Sequence, residues 1–173
     1  MAVPDYQSVM LPLLRFVGKK NDETSTGEAV EILAKEFGLT DEDLKEMLPS
    51  GIQSTFVNRV GWASTYMKKA GLLEATRRGY YRITTRGQEL LKKQPKVINV
   101  KLLRQYPEFL EFQQLKGTRS GDRESSSPAT LDATTATPSE ALETAYENLR
   151  DELADELLAR LKKLTNSIPV TPY

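Results

Sequence analysis

The sequence predicts a mainly α-helical protein with one small β-hairpin, followed by a disordered linker and a long carboxy-terminal amphipathic helix. Three observations favour this fold class. Apolar residues recur at helical spacing in four segments before residue 71. Two short runs rich in β-forming residues flank the turn sequence Arg77-Arg78-Gly79. Residues 117–138 are mostly Ser, Thr, Gly, Pro and Ala, and cannot bury enough apolar surface to offset their ordering entropy.

The composition of the 173-residue chain excludes several kinds of site. It contains neither cysteine nor histidine, so no Cys/His zinc site, Ser-His-Asp triad, Cys-His dyad or disulfide can form within it. Any metal would have to be held by carboxylates, and we expect no cofactor and no metal site. No apolar run approaches the length of a membrane span, and the first five residues lack the features of a signal peptide. We therefore expect a cytoplasmic protein with no membrane partner.

Three helices are predicted at the start of the chain, over residues 5–17, 25–37 and 40–48. Ser25 has the spacing of a capping box with the glutamate three residues later, which marks the start of the second helix. Residues 18–24 are predicted to form a polar loop. The first helix presents one apolar face, made of Tyr6, Met10, Leu13, Leu14 and Val17.

A fourth helix is predicted over residues 54–70, with Gly71 as its carboxy-terminal cap. Its buried stripe, with steps of three and four residues, consists of Phe56, Val60, Ala63, Met67 and Ala70. The opposite face carries Asn58, Gly61, Thr65, Lys68 and Lys69. This second face is small, polar and cationic.

Two short strands follow the fourth helix, over residues 72–76 and 80–84. Alternation along the second strand directs Tyr81 and Ile83 toward the core. A further short helix comes next, and a last helical piece rich in aromatic residues begins at Pro107.

The formal net charge of zero conceals a marked asymmetry along the chain. Residues 51–105 contain twelve Lys and Arg against two Glu, a net charge of +10. Residues 1–50 and 106–173 each carry a net charge of −5. A basic block between two acidic ones indicates a polyanionic partner, although a solvated basic surface that balances acidic helices would have the same composition.

This order of helices, followed by a hairpin with arginines at its turn, predicts a winged helix-turn-helix domain. A helix enters the major groove of DNA when one of its faces is buried and the other is small, polar and cationic. We expect helix 54–70 to supply selectivity, and the hairpin turn to bind phosphates or the adjacent minor groove. The predicted DNA-binding residues are Ser54, Asn58, Arg59, Gly61, Thr65, Lys68, Lys69, Arg77, Arg78, Tyr80 and Arg82.

Several of these residues also have structural explanations. Asn58 could hydrogen-bond within its own domain, and Gly61 could serve helix packing. Lys68 and Lys69 favour the negative end of the helix dipole whether or not DNA is bound. Adjacent exposed arginines contribute little to folding, so the arginines of the hairpin turn favour the DNA interpretation.

No nuclease signature is present in the sequence. A PD-(D/E)xK site needs carboxylates to hold a divalent metal and a lysine to orient the attacking water, but no Glu-x-Lys occurs. Asp43-Leu44-Lys45 has the required spacing and lies on a short predicted helix instead of a strand. We therefore assign no catalytic residue.

A long helix is predicted over residues 139–165, with Thr137 as its amino-terminal cap and Pro138 at its first position. Nothing later in the sequence can cover its apolar face, so it docks on the first domain, pairs with another copy, or covers a separate partner. That face consists of Leu142, Tyr146, Leu149, Leu153, Leu157, Leu161 and Leu164.

Several stretches of the sequence resemble one protein family. They are Val3-Pro4-Asp5-Tyr6-Gln7, Leu48-Pro49-Ser50-Gly51, Asn58-Arg59-Val60-Gly61-Trp62-Ala63 and Gly79-Tyr80-Tyr81-Arg82-Ile83-Thr84. Together they are similar to the amino-terminal part of the Mrr family of restriction proteins, over about residues 1–95, and the resemblance continues into the long helix. It implies a winged helix that recognises DNA, often modified DNA, joined through a linker and a long helix to a PD-(D/E)xK domain that cuts DNA with a divalent metal.

The closing stretch of the chain does not resemble the family's continuation into a nuclease domain. The expected organisation is a winged-helix domain at 1–116, a flexible linker at 117–138, a helix at 139–165 that is a remnant of the connection to a nuclease, and a tail at 166–173. The resemblance therefore supports DNA binding and not cleavage, and we expect no enzymatic activity.

Three functional hypotheses follow from the sequence. The first is a module that binds double-stranded DNA, modified DNA included, for a modification-dependent, Mrr-like restriction system. The second is a transcriptional regulator in which the long helix joins two winged helices as a homodimer. The third is an interaction protein whose leucine stripe binds a separately encoded nuclease subunit.

Overall fold

The computed structural model of the chain describes residues 2–118 and 135–166. It contains two units, Met1–Thr137 and Pro138–Tyr173. The first unit is mainly helical and includes a three-stranded antiparallel sheet, whereas the described part of the second unit is a single helix.

The predicted helices and strands are present, with bounds that differ from the predictions by at most three residues. The central part of the predicted linker, 119–134, and the predicted tail from 167 onward lie outside the described residues, so the proposed domain limits stay predictions. The described elements are α1 (Tyr6–Lys20), β1 (Thr24–Ser25), α2 (Thr26–Glu36), α3 (Asp41–Lys45), α4 (Thr55–Lys69), β2 (Leu73–Arg77), β3 (Tyr80–Ile83), α5 (Thr85–Lys92), α6 (Val100–Leu103), α7 (Pro107–Thr118) and α8 (Pro138–Asn166).

Side-chain caps set the starts of the first helices. Asp5 accepts hydrogen bonds from the backbone N–H groups of Gln7 and Ser8 at the start of α1. Ser25 accepts one from Glu28 in α2, as its spacing predicted. A reciprocal capping box forms at α3, where the Thr40 backbone N–H and hydroxyl both donate to Asp43 and lower the pKa of its carboxyl to about 2.

The predicted hairpin is present as β2 and β3, but the prediction lacked a third strand. The three strands form one sheet with the order β1-β3-β2. Thr24, the last residue of the predicted polar loop, pairs with Tyr81, and Ser25, predicted as the cap of the second helix, pairs with Tyr80. The backbone N–H of Thr26 extends this contact to the carbonyl of Gly79. A strand of two residues has no recognisable periodicity, and only its pairing with a segment more than fifty residues later makes it a strand.

The core of the first unit forms around α1 and α4, and both predicted apolar stripes are buried there. Tyr81 and Ile83 face this core from β3, as their alternation predicted. Aromatic side chains extend the core toward α7, since the ring of Tyr66 meets the rings of Tyr6 and Phe109 edge to face, each at 5.5 Å between centroids. These contacts anchor α4 from two sides.

An ion pair ties the end of α4 to α5 and α7. The Arg86 guanidinium donates to the carbonyl of Ala70, directly after α4, and to both carboxylate oxygens of Glu108 at 3.0 and 3.1 Å. These bonds from Arg86 hold the pKa of the Glu108 carboxyl below its usual value. The orientation of α4 is therefore fixed at its end as well as along its buried stripe.

Helix α8 is 29 residues long and has no buried residue among those described. All seven members of its predicted apolar stripe are exposed, to between 53% and 72% of their surface. Helices α8 and α4 thus both carry an apolar stripe at helical spacing, but the stripe of α4 is buried and the stripe of α8 is exposed.

Candidate nucleic-acid interface

The amino-terminal end of α4 is held by contacts with the segment before it. Ser54 pairs with Met47 in an isolated antiparallel bridge, and the Ser54 hydroxyl donates to the Leu44 carbonyl at 2.8 Å. Ser54 makes no side-chain cap for the helix. Its hydroxyl hydrogen is therefore used to fasten α3 against α4.

Asn58 is buried on one flank of α4, with 6% of its surface exposed. The Thr137 hydroxyl donates to Asn58 Oδ1 at 2.7 Å, and Asn58 Nδ2 donates to Gln53 Oε1 at 3.2 Å. Thr137 itself is fully buried. The Asn58 amide thus bonds within the chain, as one of the two alternatives had it, and is not presented to a base.

Arg59 is directed away from the polar face of α4. Its Nη1 donates to the carbonyls of Val3 and Pro4 at 2.7 and 3.2 Å. The guanidinium therefore fastens the extended start of the chain against α4, and its predicted role in DNA binding has no geometric support.

An aromatic group covers the flank of α4 that faces α7. Trp62 is half-buried with its ring 5.6 Å from Tyr66, and Tyr66 also meets Phe112 at 6.1 Å. Burial of the Tyr66 hydroxyl raises its pKa to about 12. Lys69 places its Nζ 5.4 Å from the centre of the Phe112 ring. Trp62 is therefore part of the packing here.

The remaining face of α4 is open. Val57, Gly61, Thr65 and Lys68 are each partly exposed and share this face at helical spacing. A Cβ added to Gly61 would meet nothing within 4 Å, so the helix-packing explanation of this glycine does not hold among the described residues. The Thr65 hydroxyl donates to the Gly61 carbonyl at 2.9 Å and keeps oxygen lone pairs that can accept. We call these four residues the open face.

Lys68 joins the open face to the sheet. Its Nζ lies 5.6 Å from the centre of the Tyr81 ring in β3. Burial lowers the pKa of the Lys68 ammonium, and the charge of Lys69 lowers it further. This contact shows that the carboxy-terminal half of the open face approaches the β2–β3 hairpin.

The arginines of the hairpin have different surroundings. The Arg77 guanidinium stacks 3.7 Å from the centre of the Tyr80 ring and lies 3.3 Å from a carboxylate oxygen of Glu23. Arg82 forms an ion pair with Glu74 on the neighbouring strand. Arg78 is exposed at the turn and forms no ion pair within the described part of the chain. It is thus the arginine of this hairpin whose charge is left for an external anion.

Gly79 completes the hairpin turn. Its φ of +78° lies in the left-handed region, where glycine carries no steric penalty. The β2–β3 pairing also shifts register between Ala75 and Arg77. Such an irregularity adds local twist to a hairpin, and the exposed Arg77 and Arg78 follow it directly.

Sequence reasoning missed three contributors to this region. Val57 was not predicted because it is apolar, although it lies one helical turn before Gly61 on the same face. Gln53 and Thr137 were not linked to Asn58, because their hydrogen bonds join segments up to 79 residues apart. A helical-wheel analysis that ignored polarity would have found Val57.

Within residues 2–118 and 135–166, no group of three or more Asp or Glu is arranged to hold a metal ion. None of the described helices is both long and apolar enough to cross a membrane.

Comparison with known proteins identifies relatives of this chain. The family model described as the Mrr N-terminal domain matches residues 6–93. The type IV methyl-directed restriction enzyme EcoKMrr of Escherichia coli strain K12 is 28% identical over 180 residues, which cover 96% of this chain and 56% of that enzyme. The chain thus spans little more than half the length of this relative. No solved structure matches.

Proposed function

The chain belongs to the Mrr N-terminal domain family, and from that membership we propose that its first unit binds double-stranded DNA as the recognition module of an Mrr-like restriction system. The similar enzyme from E. coli is described as methyl-directed, so methylated duplexes are the substrates to test first. The proposal concerns recognition and assigns no catalytic residue to this chain.

The order of elements supports a winged helix-turn-helix fold for this unit. Helices α1, α2 and α4 each contact a strand of a sheet in which the strand before α2 pairs with the last strand of the hairpin. In this interpretation α4 is the recognition helix and the β2–β3 turn is the wing. The short helix α3 lies in the connection between α2 and α4.

One observation carries the proposal, namely the glycine at the centre of the open face. Glycine inside a helix costs about 1 kcal/mol relative to alanine, and beyond the adjacent residues and backbone of α4 itself no described atom lies within 4 Å of a Cβ at Gly61. An external surface that approaches the helix backbone closely gives this glycine a purpose. The wall of a DNA major groove is such a surface.

The proposed contacts divide into two classes. Gly61, Thr65 and Lys68 on the open face approach base edges, and Val57 adds an apolar contact that suits a methyl group. Phosphates are bound mainly by Arg78, since its charge is unpaired among the described residues. Lys69, Arg77, Tyr80 and Arg82 flank these groups and support phosphate contacts.

Three of the predicted DNA-binding residues are given positioning roles in this proposal. Asn58 and Arg59 hold other parts of the chain against α4. Ser54 likewise holds α3. Substitutions at these three positions would act on DNA binding through the orientation of α4.

A fluorescence anisotropy titration with a labelled duplex, unmethylated or methylated, tests the proposal. We expect binding at low salt that weakens steeply as salt increases. Arg78→Ala should weaken binding and reduce the slope of log K against log salt by about 1. Arg15→Ala removes the same charge from an exposed site on α1 and is the matched control. Absence of binding to either duplex at low salt would refute the proposal.

The exposed stripe of α8 favours a second candidate role in assembly. We propose that α8 is a partner helix, which joins two copies as in a dimeric regulator or binds a nuclease subunit. Incubation of DNA with the protein and Mg²⁺ or Mn²⁺ separates both roles from an enzymatic one. Cleavage in that assay would contradict the assignment of recognition alone.

A further inference from the structure

Helix α8 is a long rod with an exposed apolar stripe. Its 29 residues extend over about 43 Å at the rise of an α-helix. Contiguous apolar surface of this length is uncommon on a protein surface in water and marks an interaction site. The stripe consists of Leu142, Tyr146, Leu149, Leu153, Leu157, Leu161 and Leu164, all more than half exposed.

The spacing of the stripe suits a straight pair of helices. Leu142, Leu153 and Leu164 are spaced 11 residues apart. An 11-residue repeat corresponds to about 3.67 residues per turn, close to the 3.6 of an undistorted helix, so two helices that pack along the stripe stay nearly straight, with a slight right-handed supercoil. A partner helix can therefore follow the stripe along its whole length.

The stripe is also nearly symmetric about its centre. Leu142 and Leu164 lie 11 residues on either side of Leu153, and Leu149 and Leu157 lie four residues on either side. Reversal of the helix direction about Leu153 therefore places one leucine opposite another. The stripe is complementary to its own antiparallel copy.

The charge distribution along α8 distinguishes the two directions of pairing. Residues 138–152 contain five acidic residues and one arginine, a net charge of −4. Residues 153–166 contain two acidic and three basic residues, a net charge of +1. A parallel pair would place the two acidic halves together, whereas an antiparallel pair places each acidic half beside the basic end of the other helix. The helix dipoles favour the same arrangement.

We propose that two copies of this chain associate through α8 as an antiparallel homodimer centred on Leu153. Leu142 of one copy packs against the partner subunit's Leu164, and Leu149 packs against the partner subunit's Leu157. The interface has two-fold symmetry, so the same surface serves both subunits. This proposal rests on the role of α8 as a partner helix and is independent of DNA binding.

Sedimentation of the full chain over a range of concentrations tests association. We expect a monomer–dimer equilibrium, which Leu153→Glu shifts to monomer by placing two carboxylates at the centre of the apolar interface. Thr144→Glu adds the same charge nine residues away, on the opposite side of the helix, and should leave the equilibrium unchanged. A wild-type chain that remains monomeric at all concentrations would overturn the proposal, as would equal effects of the two variants.

Disulfide trapping tests the direction of pairing, and it is unambiguous because the chain contains no cysteine. Leu142→Cys and Leu164→Cys chains, mixed and oxidised, should form a disulfide-linked dimer of the two variants. Each variant alone should cross-link much less. Efficient cross-linking of Leu142→Cys by itself would show a parallel pair and would refute the antiparallel arrangement. Because neither assay contains DNA, failure here is distinct from failure of the DNA-binding proposal.

Discussion

Helices α4 and α8 have similar sequence patterns and opposite surroundings. Each carries an apolar stripe at helical spacing. The stripe of α4 is completely buried, while that of α8 is more than half exposed along its length. What remains exposed therefore differs in kind, since α4 presents a small, polar and cationic face and α8 presents leucines.

The difference arises from what the rest of the chain supplies to each helix. Helix α4 packs against α1, α2, β2 and α7 within one unit. Helix α8 is the only described element of its unit. An apolar stripe thus specifies that a helix needs a partner surface, and the location of that surface decides whether the stripe serves folding or association.

Truncation of an apolar side chain should give the largest difference in stability between variants of α4 and variants of α8. Phe56→Ala in α4 should lower the free energy of unfolding of the first unit by about 3–5 kcal/mol. Leu157→Ala in α8 should change it by less than about 0.5 kcal/mol. Urea unfolding followed by fluorescence of Trp62, the single tryptophan of the chain, reports on the first unit. Comparable losses in both variants would show that α8 is part of the same folding unit.

Substitution of the buried helical glycine Gly87 by alanine should lower stability, in contrast to the same substitution at the open Gly61. A Cβ on Gly87 in α5 would collide with the carbonyl oxygen of Leu72 and lie 2.8 Å from Ile83 Cγ1. Backbone cannot yield as a flexible side chain does, so we expect Gly87→Ala to destabilise the first unit by about 1–3 kcal/mol in the same urea assay. An unchanged midpoint would indicate that α5 can move away from the sheet.

The hydrogen bond from Thr137 to the buried Asn58 of α4 should contribute to the stability of the first unit. Thr137→Val keeps the shape of the side chain and removes the hydroxyl that donates to Asn58 Oδ1. The buried amide oxygen then lacks this donor, and we expect a loss of about 1–2 kcal/mol in unfolding free energy. Thr144→Val, on the exposed surface of α8, is the control and should have no measurable effect on the first unit. No loss in Thr137→Val would mean that the segment is not held against α4.

The smallest expected change in stability concerns the open face. Gly61→Ala should stabilise the first unit by up to about 1 kcal/mol, because alanine is the better helix former and its methyl meets no described atom within 4 Å beyond the adjacent part of α4. The same variant should bind duplex DNA more weakly in the anisotropy assay, since the methyl group would hold the backbone away from the groove. Stabilisation with unchanged DNA affinity would remove Gly61 from the proposed interface.

Most helices could be predicted from the sequence, because their apolar periodicity and caps are local. The stripe of α4 and the inward-facing residues of β3 were predicted correctly and are buried. Strand β1 was not predicted, since its two residues, one at the end of a predicted loop and one at a predicted helix cap, carry no pattern and pair only with a distant strand. For that reason the prediction contained a two-stranded hairpin, whereas the structure contains a three-stranded sheet.

The candidate site was harder to predict than the fold, because side-chain partners come from distant segments. Sequence alone identified the polar face of α4 and the arginine turn. It could not determine that the Thr137 hydroxyl donates a hydrogen bond to the Asn58 amide oxygen, or that the Arg59 guanidinium donates to a backbone carbonyl at the start of the chain. Hydrogen-bonding capacity is a property of the residue, whereas its availability to a ligand depends on what the fold places beside it.

Most of the helices, the basic central block, the absence of cysteine and histidine, and the leucine stripe of α8 can be read from the amino-acid sequence. Each of these depends on composition or on contacts within a few residues. The folded arrangement sets which face of α4 stays open, leaves Arg78 without an ion pair among the described residues, and leaves open space beside Gly61. Those properties depend on packing between segments far apart in the chain, where loop closure brings together groups whose proximity no local pattern records.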